Sequence, residues 1–483
     1  MNLNPQIRLA IDPELILRQD VDRAVLLTRS SPLSDRSSIF IPIHPAEAVI
    51  LCLLDGHHTL QEIGDMWANL SDKPRDVAYR EVYRTMEICT TGRRGEDRII
   101  MEATEDLLPL LRSYDPLHFI IPSDKVNLKE RRLRIPYTVY YLPTLFCPHH
   151  CVYCYAKTSI HPESHPLEVQ RLRELFAEAR SLGVEAIQMS GGEVFTRPDI
   201  FQVIEAAREE DLAVDIPTKM WVSLDAACRF RDLGIRIIQV SLDSANPEVL
   251  DRMVGVKNHH RAMFTTLENL RAAKLQVRIN TVLTPHNLHT VGHLLRYLGE
   301  LGNVYRVSLT PYGRSLFRHD DGLFVDEQQL LIVEQTVATF RDRYPHMPVA
   351  VTGAPVKRPE TEEQRQQAWK ERAFCTGNRD GFIILPDGRV TVCEELYDHP
   401  AFLIGDLKRQ SIMEMWRSSQ AKALLYPDQN SVPDGPCKTC ETFVECNSIR
   451  GRCWRDILKS YGADHPHWPD PKCPKAPRGN RLG

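Results

Sequence analysis

A chain of 483 residues, 26% of them charged, is long enough for two or three domains, and its net charge of −4 lacks the cationic excess of a nucleic-acid binder. It has no run of about 18 apolar residues to cross a membrane, and its opening stretch, MNLNPQIRLAIDPEL, holds no signal-peptide core, so a cytoplasmic protein with neither membrane nor nucleic acid as partner is expected. Thirteen cysteines in such a chain point to metal or redox chemistry rather than to disulfides. Three fall at 147–154 and seven between Cys375 and Cys473, while Cys52, Cys89 and Cys228 stand alone and read as small apolar residues.

Residues 1–115 read as a separate α+β module. Ala24–Leu27 and Ser38–Ile41 are expected as short strands, and Ile43-His44-Pro45 turns the chain into an apolar helix, Ala46–Leu54, closed by Asp55-Gly56. Thr59-Leu60-Gln61-Glu62 is a capping box. The helix it opens carries Leu60, Ile63, Trp67 and Leu70 as one apolar stripe. A third helix, Val77–Ile88, precedes a hairpin expected around Arg93–Met101. The layout resembles winged-helix, PqqD-like peptide-recognition domains, on the strength of Pro45-Ala46, the Leu53-Leu54-Asp55-Gly56 turn and Thr59…Glu62-Ile63. The resemblance implies a module that binds the leader of a precursor peptide as an added strand. Winged helices also bind DNA, but Arg75, Arg80 and Arg84 on the third helix are balanced by Asp76, Glu81 and Glu87.

Residues 116–133 form a linker rich in Pro, Asp and Lys. Strands and helices then alternate across 134–345, with strands expected at Ile135–Tyr141, Ala186–Ser190, Ala213–Pro217, Arg236–Leu242, Val277–Leu283 and Tyr305–Leu309. A helix such as Leu167–Leu182 lies between each pair. Six such units call for an α/β fold with a parallel sheet, either doubly wound or a barrel. In parallel barrels chemistry sits where strands end. There, after the first strand, stand Cys147, Cys151 and Cys154 in C-x3-C-x2-C spacing. Such a loop builds either a zinc site, with His149 or His150 as fourth ligand, or a [4Fe–4S] cube with one iron free of protein.

The spacing, with Tyr153 before the last cysteine, resembles the signature of radical S-adenosylmethionine (radical SAM) enzymes. Ser190-Gly191-Gly192-Glu193 closes the second strand, and its extension Thr196-Arg197-Pro198-Asp199-Ile200 is also familiar in that family. The resemblance implies a partial (β/α)6 barrel, a SAM-binding [4Fe–4S] cluster on the three cysteines, and Glu193 accepting from the SAM amine. The two glycines are expected to let backbone approach a ligand closely. Ser241, in Ser241-Leu242-Asp243, and Asn280 match further SAM-contacting positions, though each reads equally well as a polar residue capping the next turn. The family's Thr-Asn-Gly after the third strand is Thr218-Lys219-Met220 here, which leaves the adenosine side open. His259-His260 begins a helix and neither is assigned a role.

Residues 346–483 hold Cys375, Gly388 and Cys393, then Cys437-x2-Cys440-x5-Cys446-x6-Cys453 and Cys473. Phe382–Leu385 and Arg389–Cys393 flank a Pro-Asp-Gly turn and read as a hairpin. The pattern resembles the SPASM domain, departing from it in the six residues before Cys453. The resemblance implies two auxiliary iron–sulfur clusters: Cys437, Cys440, Cys446 and Cys473 on the outer one, Cys375, Cys393 and Cys453 on the inner one. Glu394, Glu395 and Glu445 are candidates for its fourth ligand. Zinc-ribbon sites are the other reading of C-x2-C.

Together these resemblances imply a SAM-cleaving oxidoreductase that modifies a ribosomally made precursor peptide, by a thioether or a C–C or C–O cross-link, with a flavodoxin- or ferredoxin-like electron donor. A sulfatase-type maturase and an iron–sulfur DNA-binding regulator are the alternatives. No catalytic base is legible.

Overall fold

The computed structural model describes residues 4–29, 39–91, 99–163, 165–353, 361–372, 375–449 and 451–477. The chain divides into two compact units, Met1–Ile135 and Pro136–Gly483.

In the first unit, strand Arg8–Ile11 lies between Asp55–Thr59 and Ile100–Glu102 in an antiparallel sheet, and Leu15–Gln19, Ala24–Thr28 and Phe40–Ile43 form a second antiparallel sheet, a meander. Helices Pro45–Cys52, Leu60–Ser71 and Arg75–Thr91 supply the apolar faces that cover them. The capping box forms: Thr59 Oγ1 accepts from Glu62 N at 3.3 Å and Glu62 Oε2 from Thr59 N at 2.8 Å. Leu60, Ile63 and Trp67 are buried, but Leu70 is 55% exposed. The helix ends at Ser71, and the left-handed Asp72 turns the chain before Leu70 has anything to pack against. The hairpin expected around Arg93–Met101 lies largely outside the described residues, of which Ile100–Glu102 is a strand.

Residues 116–133 fold with this unit because a buried ion pair grips them. Arg23 donates through Nη2 to Asp20 Oδ2 at 2.8 Å and to the Arg132 carbonyl at 2.6 Å, and through Nη1 to the Glu130 carbonyl at 2.6 Å. Asp20 Oδ1 accepts from the amides of Arg134 and Ile135 at 2.8 and 3.2 Å. Both side chains are fully buried, and burial holds the Asp20 pKa above its ordinary value. Arg23→Met strands the carboxylate, and a loss of about 3–5 kcal/mol is expected. Chemical denaturation checks it; a change under about 1 kcal/mol would show that the pair does not hold the segment.

In the second unit all six expected strands form, as Thr138–Tyr141, Ala186–Met189, the segment 213–218, Ile237–Ser241, Gln276–Leu283 and Val304–Pro311. They run parallel, with Ala213–Asp215 paired to the second strand and Pro217–Thr218 to the fourth, so the chain carries the sheet through Ile216. A seventh parallel strand, Val349–Val351, extends the arc beyond Val304–Pro311. It is too short to show a period in the sequence. The arc is open, and helices such as Val169–Ser181 and Val291–Leu301 bury leucine-rich faces against it.

The other edge of the arc is taken by the C-terminal hairpin. Gly381–Ile384 pairs in parallel with Thr138–Tyr141 and antiparallel with Arg389–Thr391, which in turn pairs with Leu403–Asp406. Gly388 closes the Pro-Asp-Gly turn at φ +87°. Gly381 lies so close to the first strand that a Cβ there would meet the Thr138 carbonyl oxygen at 2.0 Å.

Candidate cluster and cofactor sites

The strand Thr138–Tyr141 delivers the chain to the three-cysteine loop at its C-terminal end. Backbone bonds from His150 N to Val254 O (3.0 Å) and from Val152 N to Met253 O (2.9 Å) fix the loop without using a thiol. Cys151 is buried, Cys147 and Cys154 half-buried, and each thiol lies within the electrostatic reach of the others. Burial pushes the Cys147 thiol up to about 12, and a metal ligated there would displace its proton. Among the described residues no three His, Cys, Asp or Glu converge closely enough to hold a single metal ion. Three thiols on one short loop suit a cube, which takes its thiolates at separate iron corners. His149 Nδ1 stands 3.7 Å from Cys147 Sγ, and its buried ring packs edge-on against His259, with ring centroids 4.8 Å apart.

Ser190-Gly191-Gly192-Glu193 docks directly on this loop. Gly192 N donates to Thr144 O at 2.8 Å and Glu193 N to Phe146 O at 2.9 Å. A Cβ on Gly192 would lie 2.2 Å from Phe146 O. The turn also approaches the backbone that carries the cysteines closely. The Glu193 carboxylate is buried and accepts from Thr218 Oγ1 and Lys219 N, both at 2.9 Å, while burial raises its pKa to about 7. Ser241, the last residue of its strand, pairs in register with Asn280 within the next strand. Ser241 Oγ accepts from Gln239 Nε2 at 3.0 Å; the next turn is capped instead by Ser244, whose Oγ accepts from Asn246 N at 3.0 Å.

Between these pieces lies a buried charge pair that the sequence did not disclose. Lys219 Nζ meets Asp243 Oδ2 at 2.8 Å, and Tyr153 OH donates to the same oxygen at 2.5 Å. Lys219 also donates to the Tyr153 hydroxyl and sits 4.9 Å over its ring. Opposite charges at the ends of two parallel strands were the only available signal. The departure at Thr218-Lys219-Met220 therefore has a partner inside this chain.

In the C-terminal region, Cys437, Cys440, Cys446 and Cys473 line one cavity of about 410 Å³. Arg452 Nη1 lies 3.9 Å from Cys437 Sγ, Arg372 Nη2 3.9 Å from Cys446 Sγ and Lys475 Nζ 3.4 Å from Cys440 Sγ. Against the cost of burial, bonds from Thr442 and Lys475 hold the Cys440 thiol below its ordinary value. Four thiols around one cavity, faced by cations, suit a complete cube.

Cys375 and Cys393 lie together, and they and Cys453 share the Arg455 guanidinium as a charged neighbour. The three candidate glutamates have the following partners. Glu394 accepts from Tyr155 OH, which also lies 3.2 Å from Ser190 Oγ; Glu395 is held by Arg455 at 3.0 Å and Leu316 N at 2.5 Å; Glu445 is on the wall of the outer cavity. Asp470, unremarked in the sequence, is buried and accepts from Cys453 N at 2.9 Å.

Comparison with known proteins agrees with this geometry. Residues 141–298 match the radical SAM superfamily and residues 375–441 the iron–sulfur cluster-binding SPASM domain. The PqqA peptide cyclase of Ruegeria pomeroyi is 25% identical over 343 residues, 70% of this chain and 86% of its own length. An AdoMet-dependent heme synthase of Methanosarcina barkeri is 25% identical over 331 residues, 64% of this chain and 90% of its own. Streptococcus suis SuiB bound to S-adenosylmethionine shares the fold at a TM-score of 0.61 and 14% identity, over 96% of this chain and 99% of its own. SuiB bound to the precursor peptide SuiA gives 0.58 at 13% identity over the same shares. The chain carries a radical SAM domain followed by an iron–sulfur cluster-binding SPASM domain, and S-adenosylmethionine and [4Fe–4S] clusters are its cofactors.

Proposed function

We propose that this protein is a radical SAM maturase that cross-links a ribosomally made precursor peptide through a thioether or a C–C or C–O bond. The observation that carries the reading is the fold shared with SuiB, a protein seen bound to a precursor peptide, which extends over the first unit as well as the second. The relation to PqqA peptide cyclases supports the same substrate class. Cys147, Cys151 and Cys154 would hold the SAM-binding cluster, whose chemistry when bound and reduced would be the one-electron cleavage of SAM. Glu193, Ser190, Ser241, Asn280 and Tyr153 orient SAM beside the loop, and Lys219–Asp243 fixes Tyr153 from behind. Such positioning is what the protein adds to chemistry supplied by its cofactors. The first unit acts as the PqqD-like leader-binding module, and a cytoplasmic flavodoxin- or ferredoxin-like protein delivers electrons.

Co-expression with a short precursor gene from the same neighbourhood, followed by mass spectrometry of the peptide, tests the reading: a loss of two hydrogens per cross-link is expected. Removal of residues 1–135 should leave SAM cleavage without peptide intact, while peptide modification falls by about 10²-fold or more, because the module raises the effective concentration of substrate. Equal modification by intact and shortened enzyme would remove the leader-binding role.

A further inference from the structure

The four thiols of the outer cavity have an electrostatic setting unlike that of the Cys147 loop. Cys437, Cys440 and Cys446 each have their own cation, Arg452, Lys475 and Arg372 respectively, at 3.4–3.9 Å from sulfur. Arg372 and Arg452 are held in place by further bonds: Arg372 Nη2 donates to Gly451 O at 3.2 Å, and Arg452 Nη1 to His467 O at 2.9 Å and Trp468 O at 3.1 Å. Two carboxylates also line the cavity. Asp470 has its oxygens engaged by the amides of Cys453 and Lys472, both at 2.9 Å. Glu445 stands on the cavity wall, and the charged groups bonded to the sulfurs are the three cations. Cations therefore dominate at the sulfurs.

At the Cys147 loop the balance differs. The group beside Cys147 Sγ is the His149 imidazole, at 3.7 Å. The Lys219 ammonium is neutralised by Asp243 at 2.8 Å. Arg318 reaches the Cys151 carbonyl at 3.2 Å and not a sulfur.

We propose that the outer site, on Cys437, Cys440, Cys446 and Cys473, holds an electron more tightly than the Cys147 site because Arg372, Arg452 and Lys475 are aimed at its sulfurs. A cube with four thiolates has a formal charge of about −2 oxidised and about −3 reduced, so each nearby cation favours the reduced form by the added unit of charge. Hydrogen bonds to the sulfurs act in the same direction. The inference rests on the cluster-binding character of the tail and is independent of the peptide substrate.

The test is a potentiometric titration of the anaerobically reconstituted full chain with dithionite and mediators, followed by electron paramagnetic resonance. The Cys147-site signal is identified by its absence from a Cys147→Ala/Cys151→Ala/Cys154→Ala variant. The outer-site signal is identified by its loss in Cys440→Ala, and it should appear at the higher potential. Lys475→Gln should lower the reduced-to-oxidised ratio of the outer site several-fold at fixed potential, and Lys475→Glu about tenfold, equivalent to ~59 mV for one electron. Arg372→Gln should shift it the same way, and the Cys147-site midpoint should stay put. A graded response from neutral to negative at an exposed position is not what a merely structural role produces. The proposal is overturned by an outer midpoint at or below that of the Cys147 site, by a midpoint unmoved in both Lys475 variants, or by an outer site that takes up no iron in the intact chain. If Arg372→Gln loses iron, the Lys475 pair decides, since that side chain is solvent-exposed and its removal opens no cavity.

Discussion

Replacing Cys147, Cys151 and Cys154 together by alanine should remove about four irons per chain and abolish SAM cleavage, while the auxiliary iron stays. The selectivity follows from how the loop is held. His150 and Val152 bond through their amides to Val254 and Met253, and Glu193 N bonds to Phe146 O, so none of the supports uses a thiol. The loop keeps its path and loses only its donors. Iron-to-protein ratio and chromatography of 5′-deoxyadenosine after dithionite reduction measure both halves. Residual cleavage above background, or full iron retention, would show that the SAM-binding cluster lies elsewhere.

A single methyl group at Gly192 should do nearly as much. Its Cβ would lie 2.2 Å from Phe146 O and 2.7 Å from the Leu145 carbonyl carbon, both backbone atoms with no rotamer to give way. The turn and the cysteine loop must part, and a displacement of about 1 Å at a reacting centre costs on the order of 10²-fold in rate. Gly192→Ala should therefore lower SAM cleavage by about 10²-fold, with iron loss at the same site. Gly313→Ala is the control, since nothing lies within 4 Å of a Cβ there. SAM cleavage within a few-fold of the unaltered chain would show that the two segments move together without harm.

What the sequence disclosed and what it hid divide along a physical line. The six expected strands were legible because buried residues recur at every second position, as Val277, Ile279, Thr281 and Leu283 do, or in short, mostly apolar runs such as Ile237–Val240. Val349–Val351, Arg8–Ile11 and Leu15–Gln19 are strands that were not expected from the sequence. The C-x3-C-x2-C loop was legible because its cysteines are neighbours in sequence. The groups that surround the thiols come from elsewhere. Lys219 and Asp243 reach Tyr153 from two other strand ends, and Arg372 reaches Cys446 from before the hairpin. Spacing carries no record of such meetings. Gly191-Gly192 also packs its backbone against the segment that leads into the cysteine loop.

The pairing of Gly381–Ile384 with Thr138–Tyr141 sets an order of events at the ribosome. The first strand of the parallel arc leaves the exit tunnel long before its second neighbour exists. Through most of synthesis it therefore presents a bare row of amides and carbonyls, the kind of edge on which chains aggregate. Pairings so distant in sequence also form slowly. A nascent chain stopped before residue 381, or one with any side chain there to strike Thr138 O, keeps that edge open, so a strand made long afterwards protects the first strand of the parallel sheet.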